Sequence, residues 1–131
     1  MFQGRRRLAK VAKRASDSAQ RMAVASRESY ERLKAYRDEA RAYPIVKFHG
    51  PSAHAEFVRW TQAHPRGFVT NCKSDYDYML HCADCSAFVF HDPDYCLTTN
   101  MKVCCLSKDK LERWARWRFW ADMEPCSLCA P

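Results

Sequence analysis

Long apolar runs are missing from this sequence. Nowhere in its 131 residues do about 18 consecutive apolar side chains occur, the length that a membrane-spanning helix needs. The basic first stretch, MFQGRRRLAKVAKRASDSAQRMAVAS, is also not followed by the apolar segment of a secretory signal. Its Arg- and Ser-rich composition resembles an organelle transit peptide, which is the weaker alternative. We therefore expect no transmembrane segment and a reducing, cytoplasmic setting.

Acidic residues are missing from the start of the chain, where the first one is Asp17. Residues 1–43 hold 12 Lys and Arg against 5 Asp and Glu, whereas residues 44–131 hold 10 against 10. The whole net charge of +7 therefore lies in the first segment. This asymmetry is typical of a basic arm attached to a neutral folded module. We predict the arm over residues 1–43 and the module over residues 44–131.

Proline and glycine are absent between Arg5 and Tyr43, a segment rich in Ala, Arg, Lys and Glu. These residues lose little conformational entropy in a helix, so the arm is predicted to be one long helix. Pro44 predicts its end, because the residue before a proline is disfavoured in the α region. The heptad positions of this helix are mostly Ala and Ser, which argues against a self-sufficient coiled coil.

Six basic residues precede the first acid of the arm. A solvated tail, contact with nucleic-acid phosphates and contact with an anionic membrane surface are all open interpretations of them. Phosphate contact is favoured, since the first two turns hold few large apolar residues. The predicted partner is thus nucleic acid or a nucleoprotein complex. The predicted contact residues are Arg5, Arg6, Arg7, Lys10, Lys13 and Arg14.

After Pro44 the pattern becomes mixed. Two amphipathic stretches, 53–64 and 108–123, predict helices that Ser52 and Ser107 cap at their N-termini. Short β-rich runs separated by turn residues predict an antiparallel sheet. A hairpin through 72–77 would place His81 opposite Phe68 and Asn71 opposite Tyr78. The predicted class is α+β, with a small antiparallel sheet and two helices. The strand-like runs are IVKF, GFVTN, YMLHCADC and MKVCCL.

Eight cysteines in so short a chain indicate disulfides in an oxidising compartment or metal ligation in a reducing one. Two C-x-x-C pairs, Cys82/Cys85 and Cys126/Cys129, form one candidate zinc set. A second candidate set combines Cys85 and Cys104 with the terminal pair. Alternation along a strand would point Cys82 and Cys85 to opposite faces unless the chain turns between them, so the two sets stay open at this point.

Five short motifs resemble a small, poorly characterised bacterial cysteine/zinc-knuckle module that occurs alone or beside nuclease or restriction-type domains. The resemblance covers residues 53–129 and leaves the arm out. Its motifs are GFVxN, YMLHxAxC, KVC, LExWA and CxxC, matching residues 67–71, 78–85, 102–104, 111–115 and 126–129.

The resemblance implies a ligand set and no activity. Its recurrent thiols correspond to Cys85, Cys104, Cys126 and Cys129, with His81 beside them. Four thiolates fill a tetrahedral site, so the resemblance implies a structural zinc ion, Zn²⁺, that staples the fold and leaves no position for catalysis. Free buried cysteines and a dithiol redox pair are the alternatives. The remaining cysteines, Cys72, Cys82, Cys96 and Cys105, depart from the module's pattern.

An enzyme is not predicted. His81 can be a base or a replacement zinc ligand, but a structural histidine bonded to a carbonyl or a thiolate is the favoured interpretation. A His–metal nuclease needs a helix that brings Asn or His to the same ion, and neither helix offers that set. No cysteine has a uniquely activating context for nucleophilic catalysis.

The last helix carries the sequence RWARWRFW. Trp114 is expected in the core, whereas Trp117, Phe119 and Trp120 cannot all share its face. Trp117 and Trp120 are predicted to dock a partner. Interleaved arginines allow base stacking as well as protein contact, and packing of the arm against these rings is a third possibility.

The predicted function is thus a non-enzymatic zinc-binding module that binds nucleic acid through its basic helix. The alternative is a protein-interaction subunit that docks its first helix and this Trp-rich helix into a larger assembly.

Overall fold

A computed structural model describes residues 2–74 and 77–131, with side chains from Gly4 onward. The chain forms two compact units, the first ending at Ala42 and the second comprising Tyr43–Pro131. Within the described residues, no helix combines the length and apolar character that crossing a membrane requires.

The first unit is a single helix, α1 (Phe2–Ala42). Its 41 residues correspond to a length of about 60 Å at 1.5 Å per residue. From Gly4 to Ala42, every side chain except the half-buried Glu39 is exposed. The helix therefore presents its charged residues to solvent, as a helix rich in strong helix formers allows.

The second unit contains a five-stranded sheet in the order β1-β4-β2-β3-β5. The pairs β1–β4, β4–β2 and β2–β3 are antiparallel, and β3–β5 is parallel. The predicted α+β class with a mainly antiparallel sheet is confirmed. The strands are β1 (Val46–Phe48), β2 (Phe68–Ser74), β3 (Asp77–Cys82), β4 (Met101–Cys105) and β5 (Glu124–Pro125).

Helices cover both faces of this sheet. On one face, α2 (His54–Ala63) and the short α3 (Ser86–Val89) contribute Phe57 and Phe88 to a core that includes Val69 and Cys104. On the other face, Leu111 of α4 (Lys108–Phe119) packs with Leu80 and Val103. Because strand residues alternate between faces, β4 contributes to both cores.

The two predicted helix caps have different outcomes. Ser107 caps α4 as predicted, since its Oγ accepts a 3.2 Å hydrogen bond from the amide of Lys110. The prediction for Ser52 is wrong, because Ser52 lies inside a 3₁₀ turn (Pro51–Ala53) and α2 begins without a side-chain cap. The proline at the start of this turn suits its first position, where no amide donor is needed.

The predicted hairpin forms, but its register is shifted by one residue. His81 pairs with Val69 rather than with Phe68, and Tyr78 pairs with Cys72 rather than with Asn71. The strands extend further into the predicted connection than expected, and a register shift between Cys72 and Ser74 accommodates this. Two positions of the predicted connection, 75 and 76, lie outside the described residues.

Candidate metal centre

The C-terminal segment is held against the sheet by strand β5. Its parallel pairing with β3 matches Leu80 with Pro125. The amide of Cys126 then donates a 2.9 Å hydrogen bond to the carbonyl of Leu80. In this register His81, which follows Leu80, and Cys126, which follows Pro125, are neighbours. The ladder thus brings the first cysteine of the terminal pair to the end of β3.

The chain turns sharply after β3 and returns to the same place. The amide of Cys85 donates a 3.1 Å hydrogen bond to the carbonyl of Cys82, and Cys85 then starts α3. The amide of Cys82 donates a 3.2 Å hydrogen bond to Sγ of Cys129. A turn between Cys82 and Cys85 is what allows the two residues to approach the same point. Of their two thiols, only that of Cys85 belongs to the group of metal-ligand atoms at this corner.

Four side chains converge at this corner: His81, Cys85, Cys126 and Cys129. One ligand atom from each lies within 4.8 Å of the others. Cys129 is half-buried, and the other three are buried. The sequence motifs thus meet in space although up to 48 positions separate them (from 81 to 129). We call this group the His/Cys cluster.

His81 has a buried ring with an unsatisfied atom. Its Nδ1 has no hydrogen-bond partner, and it is the one such buried side-chain nitrogen or oxygen among the described residues. An unpaired buried acceptor or donor is costly, so this atom points to a missing partner. Burial, and then the positive charges of Lys102 and Lys73, lower the pKa of the imidazole. The ring is therefore biased toward the neutral form that binds metals.

The thiols of the cluster differ in acidity. Burial raises the pKa of Cys85 to about 12, and the neighbouring Cys129 and Cys126 add to the increase. Burial also raises the pKa of Cys126, but backbone amides of Cys129 and Leu128 outweigh it and lower the pKa overall. The amide of Leu128 lies 3.4 Å from Sγ of Cys126. The terminal knuckle thus provides hydrogen-bond donors that stabilise a thiolate.

Cys104, the remaining predicted ligand, lies outside the His/Cys cluster, and His81 occupies its expected place. Cys104 and His81 face the same side of the sheet, but both pair with Val69, which lies between them. Two strand spacings separate their backbones by about 10 Å. Cys104 is fully buried, and burial raises its pKa well above the ordinary value. In the structure it is a core residue rather than a member of the cluster.

The other cysteines also lie outside the cluster. Sγ of Cys82 is 3.8 Å from the carbonyl oxygen of Cys129, and burial raises its pKa to about 11. Cys105 is buried in the opposite core, where its Sγ accepts a 3.4 Å hydrogen bond from the amide of Ser107. Cys72 belongs to that same face, and Cys96 lies 3.6 Å from the hydroxyl of Thr98.

The donor set of the cluster fits a tetrahedral metal ion. One imidazole and three thiols form a Cys₃His set, which is a common zinc set. In such a site, bonds of about 2.0–2.3 Å place the ligand atoms about 3.5–3.8 Å apart. The observed limit of 4.8 Å therefore requires side-chain movements of about 1 Å or less. The cluster could hold a metal ion with no change of fold.

The predicted contact residues of the arm are all exposed on α1. At 100° per residue they span an arc of about 200°, and Leu8, Ala12 and Ala15 lie on the opposite side.

In the second unit, Trp117 is 81% exposed and Trp120 is 93% exposed. Trp120 has a left-handed backbone with φ of 57°, which is unusual for a bulky residue.

Comparison of the chain with protein-family models, with curated proteins and with solved structures finds no match.

Proposed function

We propose that this protein is a non-enzymatic, zinc-stapled module that binds nucleic acid or a nucleoprotein complex through its basic helix α1. The observation that carries the proposal is the His/Cys cluster, in which ligands from β3, the following turn and the C-terminal knuckle converge within 4.8 Å. A four-ligand site of this kind is closed, so the metal stabilises the fold and does not activate a substrate.

Zinc is the metal best suited to the cluster. Thiolate and imidazole ligands favour it over calcium and magnesium, which prefer oxygen. The buried and unpartnered Nδ1 of His81 supports a ligand role for the ring. A module of 89 residues (43 to 131) buries a modest core, so a metal staple would add stability that the core lacks.

The nucleic-acid part of the proposal rests on charge. Six basic side chains occupy residues 5–14, a rise of about 14 Å along the helix, with no acidic residue among them. This is about one positive charge per 2.3 Å, close to the phosphate charge density of duplex DNA at one per 1.7 Å. All six are exposed, and long flexible basic side chains can follow a phosphate backbone.

The test is binding of single- and double-stranded oligonucleotides by the full chain as salt is raised. We expect the logarithm of the binding constant to fall linearly with the logarithm of salt, with a slope of about −4 to −5 for six phosphate contacts. Replacing all six residues by glutamine should remove most of this slope. The replacements are R5Q, R6Q, R7Q, K10Q, K13Q and R14Q.

A matched control is present in the same helix. Six further basic residues of α1 are interspersed with its five acids, and neutralising them changes the net charge by the same amount. This control should retain most of the binding. Equal losses in the two variants, or no binding at low salt, would refute the nucleic-acid proposal. The control replacements are R21Q, R27Q, R32Q, K34Q, R37Q and R41Q.

A second candidate is a protein-interaction subunit that docks α1 and α4 into a larger assembly. The exposure of Trp117 and the strained, exposed Trp120 favour it, because buried aromatic anchors dominate protein interfaces. Association that survives high salt and is lost in W117A and W120A, but not in the six-glutamine arm variant, would select this candidate.

A further inference from the structure

A second feature of the folded module is a basic cavity at the far end of the sheet from the His/Cys cluster. It lies where β2 ends and β4 begins, beside the C-terminal end of α4, and its volume is about 270 Å³. We call it the basic cavity. The lining residues that matter here are Lys73, Ser74, Thr99, Asn100, Met101 and Arg118.

The lining of the basic cavity is charged with one sign. Its charged residues are Lys73 and Arg118, and its described lining includes no Asp or Glu, while Asp75, which follows Ser74, lies outside the described residues. Ser74, Thr99 and Asn100 add polar groups, while Met101 and Phe119 form an apolar part of the wall. Two exposed cationic side chains that line one concavity attract an anion.

The backbone directs one of these cations. Lys73 lies within the register shift between Cys72 and Ser74, so it leaves the regular alternation of β2. Such bulges change the direction of a side chain and are frequent next to functional sites. The bulge gives a structural reason for a lysine at the rim of the cavity instead of on an ordinary strand face.

A buried cation lies behind the lining. Lys102 is 4% exposed, and its Nζ donates hydrogen bonds to Oδ1 of Asn71 at 2.8 Å and to the carbonyl of Asn100 at 3.1 Å. The carbonyl of Asn100 is thereby occupied by the ammonium group. Burial, and to a smaller extent the positive charge of Lys73, lowers the pKa of Lys102 to about 8. Lys102 alternates with Met101 along β4 and does not line the cavity, so it contributes only to the positive potential around it.

We propose that the basic cavity binds a phosphate group. Its volume is just below the roughly 300–1,000 Å³ of pockets for whole small molecules, so it suits one charged group better than a large cofactor. Arginine and lysine are the usual donors to phosphate oxygens, with Arg118 able to offer two parallel N–H groups. The site would act separately from the phosphate contacts of α1 and from the metal.

The test begins with inorganic phosphate and the full chain, followed by nuclear magnetic resonance of the backbone amides. We expect saturable shifts at Lys73, Thr99, Asn100 and Met101. The variant K73Q/R118Q should bind phosphate about tenfold more weakly, as expected for the loss of two partly exposed charge contacts. The matched control R59Q/R66Q removes the same charge from exposed positions outside the cavity and should bind as the wild type does.

Competition experiments then distinguish a terminal phosphate from a backbone phosphate. They use the six-glutamine arm variant, because α1 does not dominate binding in it. Competition by a 5′-phosphorylated oligonucleotide but not by its 5′-hydroxyl form would identify a terminal phosphate. Equal competition by both would identify a backbone phosphate. Absence of saturable shifts with inorganic phosphate, or equal affinity in K73Q/R118Q and the control, would overturn the proposal and leave the α1 proposal untouched.

Discussion

Cys126 lies beside His81 because its amide bonds to the carbonyl of Leu80, as the next residue of a parallel strand does. Two backbone pairs therefore align a C-terminal thiol with a histidine 45 positions earlier (81 to 126). Backbone pairing between β3 and β5 thus positions two members of the His/Cys cluster, and the first two predictions concern this cluster.

The first prediction separates His81 from Cys104. Replacing His81 by alanine should weaken zinc binding by at least about 100-fold, because it removes a ligand and not merely a group that supports one. Replacing Cys104 by alanine should leave zinc affinity unchanged and lower the free energy of unfolding by about 1 kcal/mol through a small core cavity. Zinc titration with a competing chelator measures the affinity, and chemical unfolding measures the stability. Loss of zinc in C104A with retention in H81A would instead restore the all-cysteine set.

The second prediction concerns pH. Because the pKa of Cys85 is about 12 in the metal-free protein, its thiol is protonated near neutral pH and must lose a proton to bind zinc. Apparent zinc affinity should therefore rise at least tenfold per pH unit between about pH 6 and about pH 8. Competition titrations at several pH values test this. An affinity that does not change with pH would contradict thiolate ligation by Cys85.

The third prediction compares two exposed tryptophans. Replacing Trp120 by glycine should raise the free energy of unfolding by about 1 kcal/mol, because glycine adopts its left-handed backbone without steric cost. The same replacement at Trp117, inside α4, should lower it by about 0.5 kcal/mol. Thermal unfolding should register each change as a few degrees. Equal destabilisation in both variants would show that Trp120 contributes packing that its exposure does not suggest.

The fourth prediction compares two serines. Replacing Ser107 by alanine should cost about 1 kcal/mol, since its hydroxyl caps α4 at the amide of Lys110. Replacing Ser52 by alanine should change stability by less than about 0.5 kcal/mol, because it is exposed and caps no helix. Urea unfolding of both variants provides the comparison. A large effect at Ser52 would contradict the assignment and indicate that its hydroxyl caps α2.

The fifth prediction concerns Lys102. Its pKa is about 8 in the folded protein against 10.5 ordinarily, so between these values the unfolded chain binds more protons than the folded one. The contribution of this group to stability should therefore increase as pH rises from about 8 to about 10.5. Replacing Lys102 by methionine should remove that rise. Unfolding curves of both proteins across this range test the sign, and identical pH profiles would contradict the assignment.

Most of the fold follows from local patterns in the sequence. The absence of proline and glycine between Arg5 and Tyr43 predicts α1, and alternating or β-rich runs predict the four longer strands. Ser107 predicts the start of α4 because its cap is a local interaction. The terminal C-x-x-C pair and Cys85 are recognised because metal knuckles have a defined spacing.

What the sequence does not predict is long-range. Strand order places β4 on the side of β2 away from β3, which separates Cys104 from the His/Cys cluster, and no local pattern encodes that order. The register of β2 and β3 pairs His81 with Val69, one residue away from the predicted partner Phe68. Because alternation decides which side chains share a face, one residue of register determines whether His81 or its neighbour reaches the cluster.

Strand β5 has a further consequence for solubility. It occupies the outer edge of β3, where unpaired amides and carbonyls would otherwise invite another chain to add a strand. With only two residues it is short, so the knuckle beyond it supplies the anchorage that keeps it in place. Detachment of the tail would leave the edge of β3 unpaired at Met79 and Leu80, where another chain could add a strand.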